Sequence, residues 1–253
     1  MSWFLRGLRA GIRTEGYPDE NFEAKPGATP GLPVSTTFAS SQEATDLEAR
    51  CPTRAIKAYE AAALIDRDRC VHCMRCAHGN PDTRATWRSD FEWAHEHDEL
   101  AILKELEATF GRSLNIRVVD AGDCGACLNE IGHIYDPLYN AHRLGFFITP
   151  TPRHADVHMV TGPVTRQMHE ELRTAYEAMP DPKRVIAVGV CATNGGIFGP
   201  SFMCAGGAAD AIPVDLVVPG CPPPPLAILH ALLAVCGRKP PARPFRFHGA
   251  GAP

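Results

Sequence analysis

Between residues 114 and 236 the sequence alternates short β-rich runs with longer segments of helical periodicity. This rhythm predicts βαβ units, in which parallel strands form one sheet with helices on both faces. We therefore expect an α/β domain with a mostly parallel, flavodoxin-like sheet. The predicted strands are 114–120, 145–149, 157–161, 184–190 and 214–218, and the predicted helices are 127–143, 164–178 and 223–236.

Four cysteines follow these predicted strands. Cys124 and Cys127 come after the first strand, Cys191 after the fourth and Cys221 after the fifth. Ligands of an open α/β sheet bind outside the carboxyl ends of its strands, so three loops that are far apart in sequence can meet at one site. We predict that these four cysteines bind one [4Fe-4S] cluster.

A second group of cysteines lies nearer the N-terminus. Cys70, Cys73 and Cys76 form a C-x2-C-x2-C run, and Cys51 stands upstream in front of a proline. Bacterial ferredoxins carry such runs and Cys-Pro pairs as cluster ligands. We predict a [4Fe-4S] cluster on these four residues. A structural zinc ion is the alternative, although zinc sites favour two C-x2-C pairs over a triple run.

The ligands of the other cluster found in such ferredoxins are missing here. Asn80, in front of a proline, stands where the fourth cysteine of the run is expected. The three positions upstream of Cys51 that would complete this cluster hold Ser41, Ala44 and Leu47. Because these ligands are lost together, we expect a ferredoxin-like α+β module reduced from two clusters to one.

The composition limits the partners and the compartment. The formal net charge is −4 and no block of lysine and arginine occurs, so we expect no nucleic-acid partner. No apolar run reaches the roughly 20 residues that span a bilayer, and the N-terminus lacks the character of a signal peptide, which favours the cytoplasm. Ten cysteines in a reducing compartment indicate metal binding rather than disulfides.

These patterns divide the chain into five parts. They are an extended arm with a short amphipathic helix (1–42), the ferredoxin-like module with one cluster (43–89), a linker helix (90–111), the α/β domain (112–238) and a tail (239–253). The arm is rich in proline and glycine, so we expect it to be ordered only along a partner. Its first nine residues set bulky apolar side chains against arginines, which is typical of an interfacial or partner-docking helix. A frayed terminus is the alternative.

The predicted linker helix rests on the helical periodicity of residues 90–110, with Gly111 as its C-cap. His95 and His97 fall inside it. Two histidines at this spacing point to different faces of a helix, so we interpret them as solvated or capping residues rather than metal ligands.

Several motifs of the second half resemble the small subunit of membrane-bound, group 4 [NiFe] hydrogenases of the formate hydrogenlyase type. They are Cys124-Gly-Ala-Cys127-Leu-Asn-Glu130, Thr151-Pro-Arg-His-Ala-Asp156, Thr161-Gly-Pro-Val-Thr165, Gly189-Val-Cys191-Ala-Thr-Asn-Gly195-Gly196 and Pro219-Gly220-Cys221-Pro-Pro. The same fold serves as the 20 kDa-type subunit of respiratory complex I. There the first two ligands are adjacent cysteines, so the C-x2-C spacing here favours the hydrogenase-like branch.

The N-terminus resembles a second protein of the same assemblies. Met1-Ser-Trp-Phe-Leu-Arg-Gly-Leu-Arg-Ala-Gly11, followed by Tyr17-Pro18 and the ferredoxin-like module, is similar to the start of the ferredoxin-like electron-transfer subunit of formate hydrogenlyase. The chain thus resembles a fusion of two neighbouring subunits, from which one cluster has been lost.

The resemblance implies an iron–sulfur electron-transfer subunit with two [4Fe-4S] clusters, peripheral on the inner face of the cell membrane. The Cys124 cluster would face a large [NiFe]-hydrogenase-like (49 kDa-like) subunit, which would carry the active site. Further ferredoxin-like or formate dehydrogenase-type electron-transfer subunits and membrane subunits would complete the assembly. The alternative is a complex I-like subunit that carries the terminal cluster for quinone reduction.

Several residues near the predicted clusters are candidates for accessory roles. Glu130 lies one turn beyond Cys127, and we expect it to couple proton transfer to electron transfer, or only to stabilise the helix end. Arg153 and His154 could sit over the cluster or serve as structural hydrogen-bonding residues. Backbone amides at Gly125, Gly195, Gly196 and Gly220 could stabilise the reduced cluster, or these glycines could serve ordinary turns. Cys236 is expected to be a small core residue. Cys204 stands outside both predicted ligand sets, although it is close enough in sequence to Cys191 to replace one of the ligands.

Overall fold

The computed structural model describes residues 3–19, 22–25, 27–78, 84–97, 110 and 113–243. Its central sheet confirms the expected α/β class. The strands of this sheet are β6 (His95–Glu96), β7 (Leu114–Asp120), β8 (Phe146–Ile148), β9 (Val157–Thr161), β10 (Arg184–Val188) and β11 (Leu216–Val218). Five of them are parallel, in the order β8-β7-β9-β10-β11, which is the 2-1-3-4-5 order of the flavodoxin-like layout. The short strand β6 extends the edge of the sheet antiparallel to β11.

The sheet is buried on both faces, as its near-continuous apolar strands require. In β10, Ile186 and Val188 face one apolar cluster, whereas Val185 and Ala187 face the other. The first cluster includes the helices Ala126–His133 (α3) and Pro225–Val235 (α6), and α6 is buried along its whole length. The second includes the helices Arg166–Glu177 (α4) and Val190–Asn194 (α5).

Two predicted elements are shorter than expected because the backbone changes direction. The predicted helix 127–143 ends at His133, since residues that precede a proline, here Asp136, disfavour the helical conformation; a 3-10 turn, Ala141–Leu144, follows. The predicted strand 184–190 ends at Val188, because Gly189 has a φ of 88° and is the N-cap of α5. Further 3-10 turns cover Arg67–Arg69, Pro152–His154 and Ala208–Asp210.

The N-terminal arm packs on the chain itself, so the expectation that it is ordered only along a partner is wrong. Tyr17 is 1% exposed and its ring contacts the rings of Phe22 and Phe91. Strand β1 (Leu32–Val34) pairs antiparallel with β5 (Thr86–Arg88). Helix α1 (Trp3–Ala10) forms the start of the arm and has no buried residue.

The N-terminal region, for which a ferredoxin-like module was predicted, contains a three-stranded antiparallel sheet of β2 (Thr36–Thr37), β4 (Ala62–Ile65) and β3 (Ile56–Tyr59). Helix α2 (Ser41–Arg50) covers it and begins with a capping box between Ser40 and Glu43. Two of the positions that lack the expected cysteines, Ala44 and Leu47, are fully buried. Buried apolar side chains therefore stand at two of the positions where cysteine ligands of the lost cluster were expected.

The predicted linker helix is wrong for residues 91–97, which form an extended segment ending in β6. The Trp93 indole N–H donates to the Pro219 carbonyl at 2.8 Å, and the Ala94 N–H donates to Nδ1 of His230 at 3.2 Å. His95 is 3% exposed and its Nε2 lies 3.1 Å from an Asp68 carboxylate oxygen, so it is not a solvated histidine. These long-range contacts override the local helical pattern. Residues 98–109 lie outside the described part of the chain.

The tail begins by packing against the same segment, since the Ala242 N–H donates to the Ala94 carbonyl at 2.8 Å. Residues 244–253 fall outside the described ranges. Within those ranges, no helix is both long enough and apolar enough to cross a membrane.

Candidate metal centres at the sheet edge and in the N-terminal module

Cys124 and Cys127 follow the carboxyl end of β7. The Asp120 carboxylate accepts the N–H groups of Gly122 and Asp123 at 2.8 and 2.6 Å, and thereby turns the chain out of the strand. Cys124 is exposed in this turn, whereas Cys127 is buried in the first turn of α3. The side chain of Asp123 accepts the N–H of Leu128 at 3.1 Å, which fixes the start of that helix.

Cys191 and Cys221 follow the carboxyl ends of the neighbouring strands β10 and β11. Cys191 lies in α5, and Cys221 in the proline-rich loop before α6. The two loops are joined because the Val190 N–H donates to the Gly220 carbonyl at 2.9 Å. All four cysteines thus leave the same edge of the sheet, where ligands of this fold bind.

The structure brings these four thiols close enough to influence one another. Burial raises the pKa of Cys127, and the charges of Asp123, Cys191, Cys221 and Cys124 raise it further. Burial likewise raises the pKa of Cys191 to about 11, with Cys221 and Cys124 as the next causes. The pKa of Cys221 is raised by burial and then by Cys124. Four thiolates gathered in this way repel each other unless a cation neutralises them.

Glycines let the backbone approach two of these sulfurs closely. A Cβ atom at Gly189 would lie 2.5 Å from Sγ of Cys127, and one at Gly196 would lie 2.8 Å from Sγ of Cys191. Any other residue would push a thiol out of the site. A role was predicted for Gly196 but not for Gly189, because the contact of Gly189 is with Cys127, which follows a different strand.

The other predicted glycines serve the backbone rather than the sulfurs. Gly125 has a φ of 92° and precedes α3, and a Cβ atom there would have no heavy atom of the described residues within 4 Å beyond its chain neighbours and the helix backbone. A Cβ at Gly195 would meet the backbone of Gly199, and one at Gly220 would meet Pro223. Ordinary turn geometry explains these three positions.

The second set of cysteines surrounds a small cavity of about 20 Å³ in the N-terminal module. Cys51, Cys70, Cys73 and Cys76 all line it, together with apolar side chains that include Ile56 and Ile65. Burial raises the pKa of Cys70 to about 12, and the charges of Cys76, Cys51 and Cys73 contribute in the same direction. The run and the remote Cys51 therefore converge on one volume.

Hydrogen-bond donors already face the sulfurs of this set. The Ala55 N–H donates to Sγ of Cys51 at 3.2 Å. Burial and the Cys73 charge raise the pKa of Cys76, whereas the indole of Trp87 opposes that rise. The Trp87 N–H nevertheless has no hydrogen bond of normal geometry among the described residues. The Trp87 N–H is thus a buried donor that lacks a full partner and lies beside thiols. Such a donor suits a site whose sulfur atoms carry negative charge.

The donor sets fit iron–sulfur clusters by their chemistry. All ten cysteines are free thiols. In the part of the chain that the structure describes, no three His, Cys, Asp or Glu side chains converge at the spacing of a single metal ion. Cys51, Cys70, Cys73 and Cys76 line one cavity, and four cysteine thiols are the donor set of a [4Fe-4S] cluster.

Two further cysteines stand outside both sets. Cys204 is buried and its charge acts on Cys191, so it lies near the sheet-edge site. Its N–H donates to the Ser201 hydroxyl oxygen at 3.3 Å. Cys236 is buried at the end of α6, as expected for a core residue, and burial raises the pKa of its thiol to about 11.

Glu130 lines an open cavity of about 520 Å³, which is also lined by Cys221, His72, His133 and Asp136. Burial raises the pKa of Glu130, and the nearby His133 opposes this. The imidazole of His133 lies 2.7 Å from the Asp136 carboxylate. Glu130 is therefore half-buried beside a cysteine of the sheet-edge site, with a second titratable pair close by.

Arg153 and His154 do not lie over that site. Both are exposed in the turn Pro152–His154, just before Asp156. The Asp156 N–H donates to the Asn115 carbonyl at 2.8 Å, which places the turn near the amino end of β7. The cysteines lie at the opposite edge, so the hypothesis that this pair covers the cluster is wrong.

The chain has a parallel sheet with thiols at the carboxyl ends of three strands. It is therefore an α/β protein with cysteines at the ligand-binding edge of its sheet. Residues 124–235 match the family described as NADH ubiquinone oxidoreductase, 20 Kd subunit. The uncharacterized protein MJ0516 of Methanocaldococcus jannaschii is 45% identical over 124 residues, which cover 49% of this chain and 83% of that protein.

Two further relatives carry functional names. The probable membrane-bound hydrogenase subunit mbhJ of Pyrococcus furiosus is 46% identical over 123 residues, covering 49% of this chain and 74% of that protein. Formate hydrogenlyase subunit 7 of Escherichia coli (strain K12) is 39% identical over 137 residues, covering 54% of this chain and 52% of that protein. The chain belongs to the family of the 20 kDa subunit of NADH ubiquinone oxidoreductase. The ferredoxin-like resemblance lies outside residues 124–235 and stays a prediction.

Proposed function

We propose that this chain is an iron–sulfur electron-transfer subunit of a membrane-bound hydrogenase-type complex of the formate hydrogenlyase kind. One [4Fe-4S] cluster would be held by Cys51, Cys70, Cys73 and Cys76, and the other by Cys124, Cys127, Cys191 and Cys221. When bound, each cluster supplies a centre that accepts and releases one electron. The observation that carries the proposal is the convergence of eight cysteines into two separate groups of four.

The chain's own residues would fix and tune these centres. Gly189 and Gly196 leave room for the sulfurs of Cys127 and Cys191. The N–H of Ala55 donates to the Cys51 sulfur, which favours the more negative, reduced state of a cluster at that site. Glu130, half-buried beside Cys221, is placed to hold a proton close to the sheet-edge site.

The proposed partners follow from the family and from the names of the relatives. The sheet-edge site would face a large [NiFe]-hydrogenase-like (49 kDa-like) subunit, and further ferredoxin-like or formate dehydrogenase-type subunits would exchange electrons with the N-terminal site. Membrane subunits would anchor the assembly on the inner face of the cell membrane. Helix α1 supports a membrane contact, because Trp3 and Leu8 are 84% and 66% exposed among arginines.

The test is iron analysis of the full chain purified without oxygen. We expect about eight irons and eight sulfides per chain, four for each cluster, and cubane signals in electron paramagnetic resonance of the reduced protein. Cys73→Ser and Cys191→Ser should each remove about half of the iron and a different signal. Zinc in place of iron, or the loss of the same signal in both variants, would overturn the proposal.

A further inference from the structure

His230 lies in the middle of α6 and is 1% exposed. Its Nδ1 atom accepts the Ala94 N–H at 3.2 Å, and its Nε2 atom lies 3.0 Å from the carbonyl oxygen of Pro240. A backbone N–H only donates and a carbonyl oxygen only accepts, so Nδ1 carries no proton and Nε2 carries one. The two contacts therefore fix the ring as the neutral tautomer that is protonated at Nε2.

The ring of His230 joins three segments of the chain. Ala94 belongs to the extended segment 91–97, Pro240 belongs to the tail, and His230 itself belongs to α6. The tail returns to the extended segment, since the Ala242 N–H donates to the Ala94 carbonyl at 2.8 Å. Ala94 thus has its N–H bonded to α6 and its carbonyl bonded to the tail.

The segment that His230 holds also holds the loop of Cys221. The indole N–H of Trp93, the residue before Ala94, donates to the Pro219 carbonyl in a buried bond of 2.8 Å. Strand β6 continues the same segment and pairs with β11, the strand that leads into this loop. Helix α6 begins soon after Cys221. The loop is therefore held at its start by Trp93 and at its end by α6, and His230 connects these two supports.

A proton on Nδ1 would break the connection, because two donors would then face each other. Burial lowers the pKa of His230. The bond to the Pro240 carbonyl and the charges of Glu92 and Asp90 oppose this effect, whereas the charge of Lys239 adds to it. The ring is thus neutral at pH 7 and gains the proton only in acid, below the ordinary histidine value of about 6.5.

We propose that His230 is a positioning residue for the sheet-edge site, which holds the Cys221 loop through Ala94 while its ring is neutral and releases that loop when Nδ1 gains a proton. This inference rests on the proposed function, because it concerns a cluster that Cys221 binds. Release of the loop would move one of the four ligands. Acid should therefore remove the sheet-edge cluster before it removes the cluster of the N-terminal module.

The first test reads the ring itself by 15N magnetic resonance of the full chain labelled in its histidine rings. The His230 signals, identified by their absence from His230→Asn, should show an unprotonated Nδ1 and a protonated Nε2 at neutral pH. A protonated Nδ1 at that pH would overturn the inference. This measurement needs no cluster, whereas a chain that binds no iron would refute the proposed function, so the two failures are distinct.

The second test compares two variants that both lose the imidazole but keep different bonds. His230→Asn offers a carbonyl oxygen near the position of Nδ1 and keeps an acceptor for Ala94. His230→Gln offers an amide N–H near the position of Nε2 and keeps the bond to Pro240. The resonance signal of the reduced sheet-edge cluster should decay under an iron chelator roughly tenfold faster in His230→Gln, because the buried Ala94 N–H is left without an acceptor. Equal decay rates in the two variants would overturn the inference.

Acid provides the third comparison, with the signal of the N-terminal cluster as the internal reference. When the pH is lowered from neutral to mildly acidic, the unmodified chain should lose the sheet-edge signal faster than the reference signal. His230→Asn has no ring to protonate and should lack this additional sensitivity, whereas the exposed control His154→Asn should keep it. The same acid dependence in His230→Asn and in the unmodified chain would overturn the inference.

Discussion

The side-chain amide of Asn194 donates a 2.6 Å hydrogen bond to the carbonyl oxygen of Asp68, 126 positions earlier in the chain. Asp68 belongs to the turn that leads into Cys70, and Asn194 ends the helix that holds Cys191. The Oδ1 atom of Asn194 also accepts the Gly196 N–H at 3.0 Å. One side chain therefore joins the segments that carry the two groups of cysteines.

Replacing Asn194 should loosen this junction. Asn194→Ala removes both bonds, and at about 1 kcal/mol each the free energy of unfolding should fall by roughly 2 kcal/mol. Asn194→Asp keeps the acceptor for the Gly196 N–H but turns a carboxylate oxygen toward the Asp68 carbonyl oxygen. The free energy of unfolding of this variant should therefore fall by at least as much as that of Asn194→Ala. Thermal unfolding of the holoprotein measures the change, with the exposed Gln167→Ala on α4 as the control. A melting temperature equal to that of the control would contradict the expected role.

Cys204 should be dispensable for metal binding. It lies near Cys191, but its buried position in the loop that bonds to Ser201 gives it a structural role. Cys204→Ala should keep the full iron content and both resonance signals, as should Cys236→Ala. Cys191→Ser is the comparison that loses half of the iron. If Cys204→Ala lost a cluster while Cys191→Ser did not, the ligand assignment at the sheet edge would have to be exchanged.

Local sequence patterns predicted much of the sheet and the positions of its cysteines. Strand β9 has the predicted bounds, Val157–Thr161, because a short apolar run between turn residues needs no distant contact to be recognised. The positions of the cysteines could be predicted from the same local patterns, because each cysteine of the sheet-edge site follows a predicted strand in the sequence. Parallel topology then places all strand exits on one edge.

The failures lie where contacts distant in sequence decide the structure. Residues 91–97 have helical periodicity, yet Trp93 and His95 are held extended by Pro219 and Asp68. Tyr17 is buried by aromatic rings from another segment, which no property of the proline-rich arm reveals. Gly189 matters only because a sulfur from a different loop approaches it.

The stability of the fold should fall in mild acid because of His158. Burial lowers the pKa of His158 to about 4, and the charge of Arg117 adds to the effect. The unfolded chain binds this proton near pH 6.5, so the folded state loses stability as the pH falls from about 6.5 toward 4. His158→Leu should reduce the loss between pH 7 and pH 5 by about 2 kcal/mol. Urea unfolding of both proteins at the two pH values measures this; equal losses would contradict it.

Helix α1 should bind anionic membranes. Its arginines, Arg6 and Arg9, lie among exposed apolar side chains, and no acidic residue precedes Glu15. Each arginine near an anionic surface contributes about 1 kcal/mol, so the double variant Arg6→Glu, Arg9→Glu should weaken binding at least tenfold. Co-sedimentation with phosphatidylglycerol vesicles at two salt concentrations measures this, with Arg173→Glu on α4 as the control. Binding by the double variant at the level of the control would contradict a membrane role for α1.

Glu130 should matter for turnover rather than for cluster binding. Burial raises the pKa of its carboxyl, so the side chain holds its proton to a higher pH than an exposed glutamate. The folded state therefore loses stability as the pH rises through this raised value, and Glu130→Gln removes that loss. If the carboxyl also transfers protons, Glu130→Gln should slow turnover of the assembled complex by roughly a hundredfold, with unchanged iron content. The exposed Glu171→Gln on α4 is the matched control. Unchanged turnover together with a changed pH dependence of unfolding would restrict Glu130 to the electrostatics of α3.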